Sequence, residues 1–166
     1  MDAKAKESVF RQIDLLKDDL LNLVIETVKI RSINPTYTGV SYEEELGGET
    51  RVNEYVKPVM EKIGLTTDLF EQEKGRANLV GTLKGSGGGK SLIFNGHVDV
   101  VPPGPDDQWT VAGPWSGEIV GDRIYGRGSC DMKGGNAAAI MALRAIREAG
   151  ITLKGDVTIE SVVGEE

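Results

Sequence analysis

The sequence predicts a mixed α/β fold, a three-layer αβα sandwich built on a mixed sheet. Two observations carry that expectation. The elements run helix, helix, strands, helix, strand, an order suited to helices layered on a sheet. Apolar residues recur at helical spacing in some segments and at strand spacing in others. There is no internal repeat and no obvious linker, so the 166 residues read as one domain, and 39% hydrophobic content is enough for a core.

From Asp2 to Arg31 the spacing predicts one amphipathic helix, with Val9, Ile13, Leu16, Leu20, Leu23 and Thr27 at alternating four- and three-residue steps. Pro35 marks its exit. Val9, Leu16, Leu23 and Ile30 are also seven apart, which a coiled coil would need; at this length a helix packed on a sheet is the reading adopted. Asn34 to Gly48 is a long connection, either mobile or part of a binding rim, and Glu43-Glu44-Glu45 within it reads as a solvated charge run. A second helix is expected from Thr50 to Ile63, stopped by Gly64, with Pro58 imposing a kink or a late start.

Strands follow at Thr67 to Gln72, Ala77 to Leu83 and Lys90 to Asn95, the last two joined by Gly85-Ser-Gly-Gly-Gly89 as a loose hairpin tip or flexible loop. Gly89-Lys90-Ser91 looks like the tail of a phosphate-binding loop. That motif needs glycine where Lys84 stands and a helix where a strand follows, so it is rejected. Pro102 to Trp115 reads as a surface loop anchored by Trp109 and Trp115, and Gly117 to Tyr125 as a small hairpin turning at Gly121-Asp122. Ala-rich Asn136 to Ala149 reads as a buried helix stopped by Gly150, and Asp156 to Val163 as a strand ending in Gly164-Glu165-Glu166.

Composition excludes several functions. A net charge of -7 disfavours nucleic acid or an anionic membrane as partner, since both need clustered lysine and arginine. The single Cys130 excludes an intrachain disulfide, and the charged N-terminus has no apolar signal core behind it, so a reducing, cytoplasmic setting is expected. Cys130 reads as a small packed side chain, because the chain's one histidine leaves none to activate it.

That histidine, His97, lies in Ser91-Leu-Ile-Phe-Asn-Gly-His97-Val-Asp99-Val-Val-Pro102, where an apolar run of the kind a buried strand needs gives way to polar residues. In extended backbone His97 and Asp99 can face the same way. The carboxylate then takes a proton from one ring nitrogen and frees the other for a metal. Asp131 stands at the mouth of the Ala-rich helix, where capping would explain it equally well. Glu165 and Glu166 close the last strand. If the strands bearing His97 and Glu165 run parallel, all these groups gather at one sheet edge. Histidine with carboxylates suits Zn²⁺, and also Co²⁺ or Mn²⁺.

Gly-His97-Val-Asp99-Val-Val-Pro, Tyr-Gly-Arg-Gly-Ser-Cys-Asp131-Met-Lys-Gly and the strand-ending Glu165-Glu166 together resemble the co-catalytic zinc hydrolase family of acetylornithine deacetylase, succinyl-diaminopimelate desuccinylase, aminoacylase and carboxypeptidase G. Trp109 and Pro114-Trp115 resemble that family's loop between the first two motifs. The resemblance implies a zinc-exopeptidase-like sandwich in which His97 ligates one zinc, Asp131 bridges two, Glu166 ligates the second, Glu165 is the general base and Asp99 orients His97. Two metals about 4 Å apart acidify a shared water and polarise a carbonyl. The implied reaction is hydrolysis of the amide bond of N-acyl amino acids or small peptides. Arg127 would either bind a substrate carboxylate or brace its loop through an ion pair.

The sequence departs from the family in length. Complete members supply further ligands, an acidic residue and a late histidine, after the Glu-Glu pair, and insert a lid or dimerisation domain. Residues 1–166 are therefore expected to be the N-terminal part of a C-terminally truncated catalytic domain from a homodimeric parent, binding metal weakly and turning over poorly. The alternative is a non-catalytic binding or scaffold domain that offers its apolar edge to a partner.

Overall fold

The computed structural model describes residues 3–166. Its helices are α1 (Ala3–Leu15), α2 (Lys17–Lys29), the single turn α3 (Tyr42–Glu45), α4 (Gly48–Lys62) and α5 (Gly134–Glu148). The strands are β1 (Thr66–Glu73), β2 (Arg76–Leu83), β3 (Leu92–His97), β4 (Glu118–Val120), β5 (Arg123–Tyr125) and β6 (Val157–Val162). None of the described helices is long and apolar enough to cross a membrane.

The single helix expected from Asp2 to Arg31 is two helices broken at Leu16 (φ -91°, ψ 5°); Asp2 lies outside the described residues. The break is shallow, because the Leu16 amide is shared between the carbonyls of Gln12 (3.0 Å) and Ile13 (3.2 Å). Packing explains it. Helix α1 buries none of its residues and lies against α5, whereas α2 turns Leu23, Val24, Thr27 and Val28 into the core. Helix α4 starts earlier than expected and continues through Pro58. Pro58 and Glu54 are both exposed, so the carbonyl that the proline leaves unpaired can face water. Gly64 (φ 86°) ends the helix as its position predicts, donating to Glu61 O at 2.8 Å. The three glutamates are not all solvated: Glu45 is buried and ion-paired with Arg31.

The sheet has the order β1-β2-β6-β3, with β1, β2 and β6 antiparallel in turn and β3 parallel to β6. The glycine tract is therefore not a hairpin tip, since β6 lies between β2 and β3. It packs on the chain entering β6, with Ser86 N donating to Leu153 O (2.8 Å) and Gly87 N to Lys154 O (2.9 Å). Gly85 and Gly155 permit that approach, since a Cβ on Gly85 would lie 2.5 Å from the Gly155 carbonyl oxygen.

Helices α2, α4 and α5 cover one sheet face, joining Leu79, Val157 and Ile159 to Val28, Val56, Met60 and Ile140 in the core. The opposite face carries Phe70, the paired hydroxyls of Thr82 and Thr158, Ile93 and Asn95. The mixed α/β class is the one expected. Strand β3 is a sheet edge rather than a buried strand, and Leu92, Ile93 and Phe94 are 51%, 58% and 42% exposed. The expected hairpin forms as β4 and β5. The preceding loop is anchored by Trp109, whose Nε1 donates to Pro103 O at 3.1 Å.

Candidate metal centre

Parallel pairing of β3 with β6 brings the C-terminal ends of both strands to one edge, where open α/β sheets place their sites. His97 is the last residue of β3 and only 5% exposed. Two contacts fix its ring and backbone. Nδ1 lies 3.0 Å from the carbonyl oxygen of Asp99, and Asn136 Nδ2 of α5 donates to His97 O at 2.7 Å. With the proton on Nδ1, the Nε2 lone pair points outward.

Asp131 sits in an irregular turn, Ser129–Lys133, between Gly128 (φ 84°) and α5, and its peptide bond to Met132 is cis. It does not cap α5. Lys133 anchors the turn: its buried ammonium donates to the carbonyls of Thr27 (2.8 Å) and Ile30 (2.9 Å) at the end of α2. Burial pushes that ammonium down to about 7. Asp131 projects into solvent, its side chain 78% exposed, with Oδ1 3.3 Å from His97 Nε2. Glu165 Oε2 lies 3.7 Å from the same nitrogen.

Glu166 follows β6 by way of Gly164 (φ 79°), and its amide donates to Asp99 Oδ2 at 3.0 Å. Burial raises the Glu166 carboxyl above the usual carboxylate range; His97 opposes this, while Asp131, Asp99 and Glu165 add to it. Asp99 is fully buried. Its Oδ2 also accepts from Asn34 Nδ2 (3.0 Å), while Oδ1 has no hydrogen-bond partner and stands 3.5 Å from His97 Nδ1. The imidazole is thus held by the main-chain carbonyl of Asp99, with the carboxylate beyond hydrogen-bond distance, where the sequence predicts a side-chain contact.

The structure brings together all five residues singled out in the sequence. One ligand atom each from His97, Asp131 and Glu166 lie within 4.8 Å of one another. Among the described residues no lysine or arginine pairs with Asp131, Glu165 or Glu166. An imidazole with its lone pair free and several unpaired carboxylates form a donor set suited to a divalent cation such as Zn²⁺, Co²⁺ or Mn²⁺. Three protein donors per ion are what open catalytic sites have.

Two neighbours behave differently from expectation. Cys130 is exposed rather than packed, because the turn that aims Asp131 outward carries it out too. Arg127 braces its loop by stacking on Trp109, 5.8 Å from the ring centroid, rather than through an ion pair. Sequence reasoning missed Asn34, Glu49, Arg76, Lys133 and Asn136. The Met-Lys-Gly of the second motif was the one signal that could have drawn attention to Lys133.

Residues 93–166 match the model of Peptidase family M20/M25/M40. The chain is 32% identical over 162 residues to N-formyl-4-amino-5-aminomethyl-2-methylpyrimidine deformylase of Halalkalibacterium halodurans, covering 96% of this chain and 36% of that one. It is 49% identical over 78 residues to succinyl-diaminopimelate desuccinylase of Gluconacetobacter diazotrophicus, covering 47% and 20%. Among solved structures, the M20 family metallo-carboxypeptidase Sso-CP2 of Sulfolobus solfataricus superposes with a TM-score of 0.71 at 28% identity, over 87% of this chain and 30% of that one. The chain therefore spans about a third or less of the length of these relatives.

Proposed function

Because the chain belongs to peptidase family M20/M25/M40, we propose that it is the N-terminal part of the catalytic domain of a metal-dependent hydrolase cleaving the amide bond of N-acyl amino acids or small peptides. The observation that carries this reading is the approach of His97, Asp131 and Glu166 ligand atoms to within 4.8 Å of one another. In this reading His97, Asp131 and Glu166 would be the zinc ligands. A bound metal would supply Lewis acidity, to polarise the amide carbonyl and acidify water.

The chain's own residues do the rest. Glu165, exposed beside His97, takes a proton from the attacking water and returns it to the leaving amine. Asp99 fixes the ring of His97 through its carbonyl and the Glu166 backbone through its carboxylate. The deformylase and desuccinylases among the relatives support an acyl-amide substrate, and the carboxypeptidase supports a peptide.

Isothermal titration with Zn²⁺ or Co²⁺ tests the reading. Stoichiometric uptake is expected, and it should weaken in His97→Ala, which removes the one imidazole among the three candidate ligand side chains. Equal heats from the two proteins would overturn the metal centre and favour a scaffold domain.

A further inference from the structure

Behind the metal centre lies a buried polar relay that no motif announces. Glu49, in the first turn of α4, is fully buried. Its two oxygens accept from Arg76 Nε and Nη2 of β2, each at 2.7 Å, and Oε1 also accepts from Gly164 N at 3.1 Å. Arg76 Nη2 reaches on to Asn34 Oδ1 at 3.3 Å, and that oxygen accepts from Thr36 N (2.9 Å) and Thr36 Oγ1 (2.8 Å) as well. With three donors on its oxygen, the Asn34 amide has one orientation. Its Nδ2 then faces two acceptors, Asp99 Oδ2 at 3.0 Å and Glu166 O at 2.8 Å. A flipped amide would set oxygen against both.

We infer that Asn34, oriented by the Arg76–Glu49 pair, is a positioning residue for the metal centre, holding Asp99 and the Glu165–Glu166 segment in register with His97. The inference rests on the metal-centre reading above and extends it to residues outside the three motifs. Asn34 touches no candidate ligand atom and acts through two backbone-anchored neighbours. Its amide donates to the Asp99 carboxylate that also receives the Glu166 amide, and to the Glu166 carbonyl, so one side chain ties the chain after β3 to the chain after β6. The tie is made where the sheet can no longer impose register, because the last β3–β6 pair is His97 with Val162. Beyond that pair, Gly164 has a positive φ (79°), and nothing in strand geometry sets where Glu166 projects.

Asn34→Asp tests this with little change of volume. It keeps the acceptor toward Thr36 and Arg76 but places oxygen against Asp99 Oδ2 and the Glu166 carbonyl. Co²⁺ binding is followed by titration calorimetry and by the visible absorption of the bound ion, with circular dichroism and thermal unfolding of the metal-free protein as the fold check. Loss of such a supporting contact is expected to weaken Co²⁺ binding about 10- to 100-fold and to alter the visible spectrum. Asn34→Ala removes both donors and is the second variant should Asn34→Asp fail to fold. Ser32→Ala is the control: it deletes a hydrogen bond from the same segment to Val98 O, 2.7 Å long, without touching Asp99. It is expected to leave Co²⁺ affinity within about twofold, as an independent contact should. Unchanged affinity in a folded Asn34 variant, or an equal loss in Ser32→Ala, overturns the inference while leaving the metal centre standing. Absence of Co²⁺ binding by the unsubstituted chain overturns both.

Discussion

Replacing Arg76 by methionine is expected to be the costliest single change in the polar interior. The substitution keeps an unbranched stem of similar length in β2 and deletes the guanidinium. Glu49 would lose both 2.7 Å charge-assisted hydrogen bonds and keep only the 3.1 Å contact from Gly164 N, with its side chain fully buried. Breaking a buried pair by removing one partner costs about 3–5 kcal/mol, because the remaining charge stays uncompensated. Glu73 adds little to that figure, since its carboxylate is half-exposed and 3.3 Å from Nη1. For a domain of this size 1 kcal/mol moves the melting midpoint by roughly 2–4 °C, so a fall of about 10 °C is expected. Urea unfolding of Arg76→Met, Glu49→Leu and the double variant measures the effect and the coupling. The double variant is expected to be more stable than Arg76→Met, since replacing both charges by apolar groups removes the desolvation cost with the attraction. A loss below about 1 kcal/mol in Arg76→Met, or a double variant no better than it, would refute the claim that the pair compensates a buried charge.

Two further outcomes follow from the coordinates. Gly96→Ala places a Cβ 1.9 Å from Asn136 Oδ1, so the Asn136 side chain must shift and disturb the hydrogen bond that its Nδ2 donates to His97 O; overpacking of this kind costs about 1–3 kcal/mol. Co²⁺ affinity is expected to fall at the same time, and titration on the folded variant reads it. Asp156→Asn bears on acid stability. The hydrogen bond from Lys84 and then that from Gly85 N hold the Asp156 carboxyl below the usual carboxylate range. A depressed folded-state pKa stabilises above the unfolded-state value and is lost as pH falls through the folded-state one. The stability gap between Asp156→Asn and the unsubstituted chain is therefore expected at neutral pH and should close in acid; urea midpoints across that range check it.

The α/β class, the two core helices, the hairpin and the five residues gathered at the candidate site could be picked out in the sequence because each rests on a local signal: apolar spacing, a stop glycine, a motif at a strand end. The break at Leu16 could not, since apolar spacing runs through it and only the packing separates an α1 that buries no residue from an α2 that turns four into the core. The glycine tract misled because β2 and β3 are neighbours in sequence while β6 intervenes in space. Asn34, Glu49 and Arg76 read as a loop residue, a helix-start acid and a strand cation. Their worth depends on meeting one another, and no spacing encodes that meeting.

The topology separates what is legible from what is not. His97 ends β3, Asp131 opens the turn into α5, and Glu165 follows β6, so the three motifs are successive stations of one strand-helix-strand unit with parallel strands. In such a unit both strand ends and the helix entrance must share an edge, because the crossover returns the chain to run in the same direction. Parallel pairing alone therefore collects the chemistry. Three supporting residues come from the antiparallel half: Arg76 opens β2, Glu49 starts α4 and Asn34 precedes both. No rule of connection aims that half at the site. What joins the halves is the β2–β6 pairing, in which Leu79 faces Ser161, together with Asn53 of α4, which donates to Ser161 O at 3.1 Å and accepts from its hydroxyl at 2.6 Å. The β2–β6 seam thus ties the position of α4 and Arg76 to the segment bearing the two glutamates, and the geometry of the candidate metal centre rests on a pairing that lies outside its own motifs.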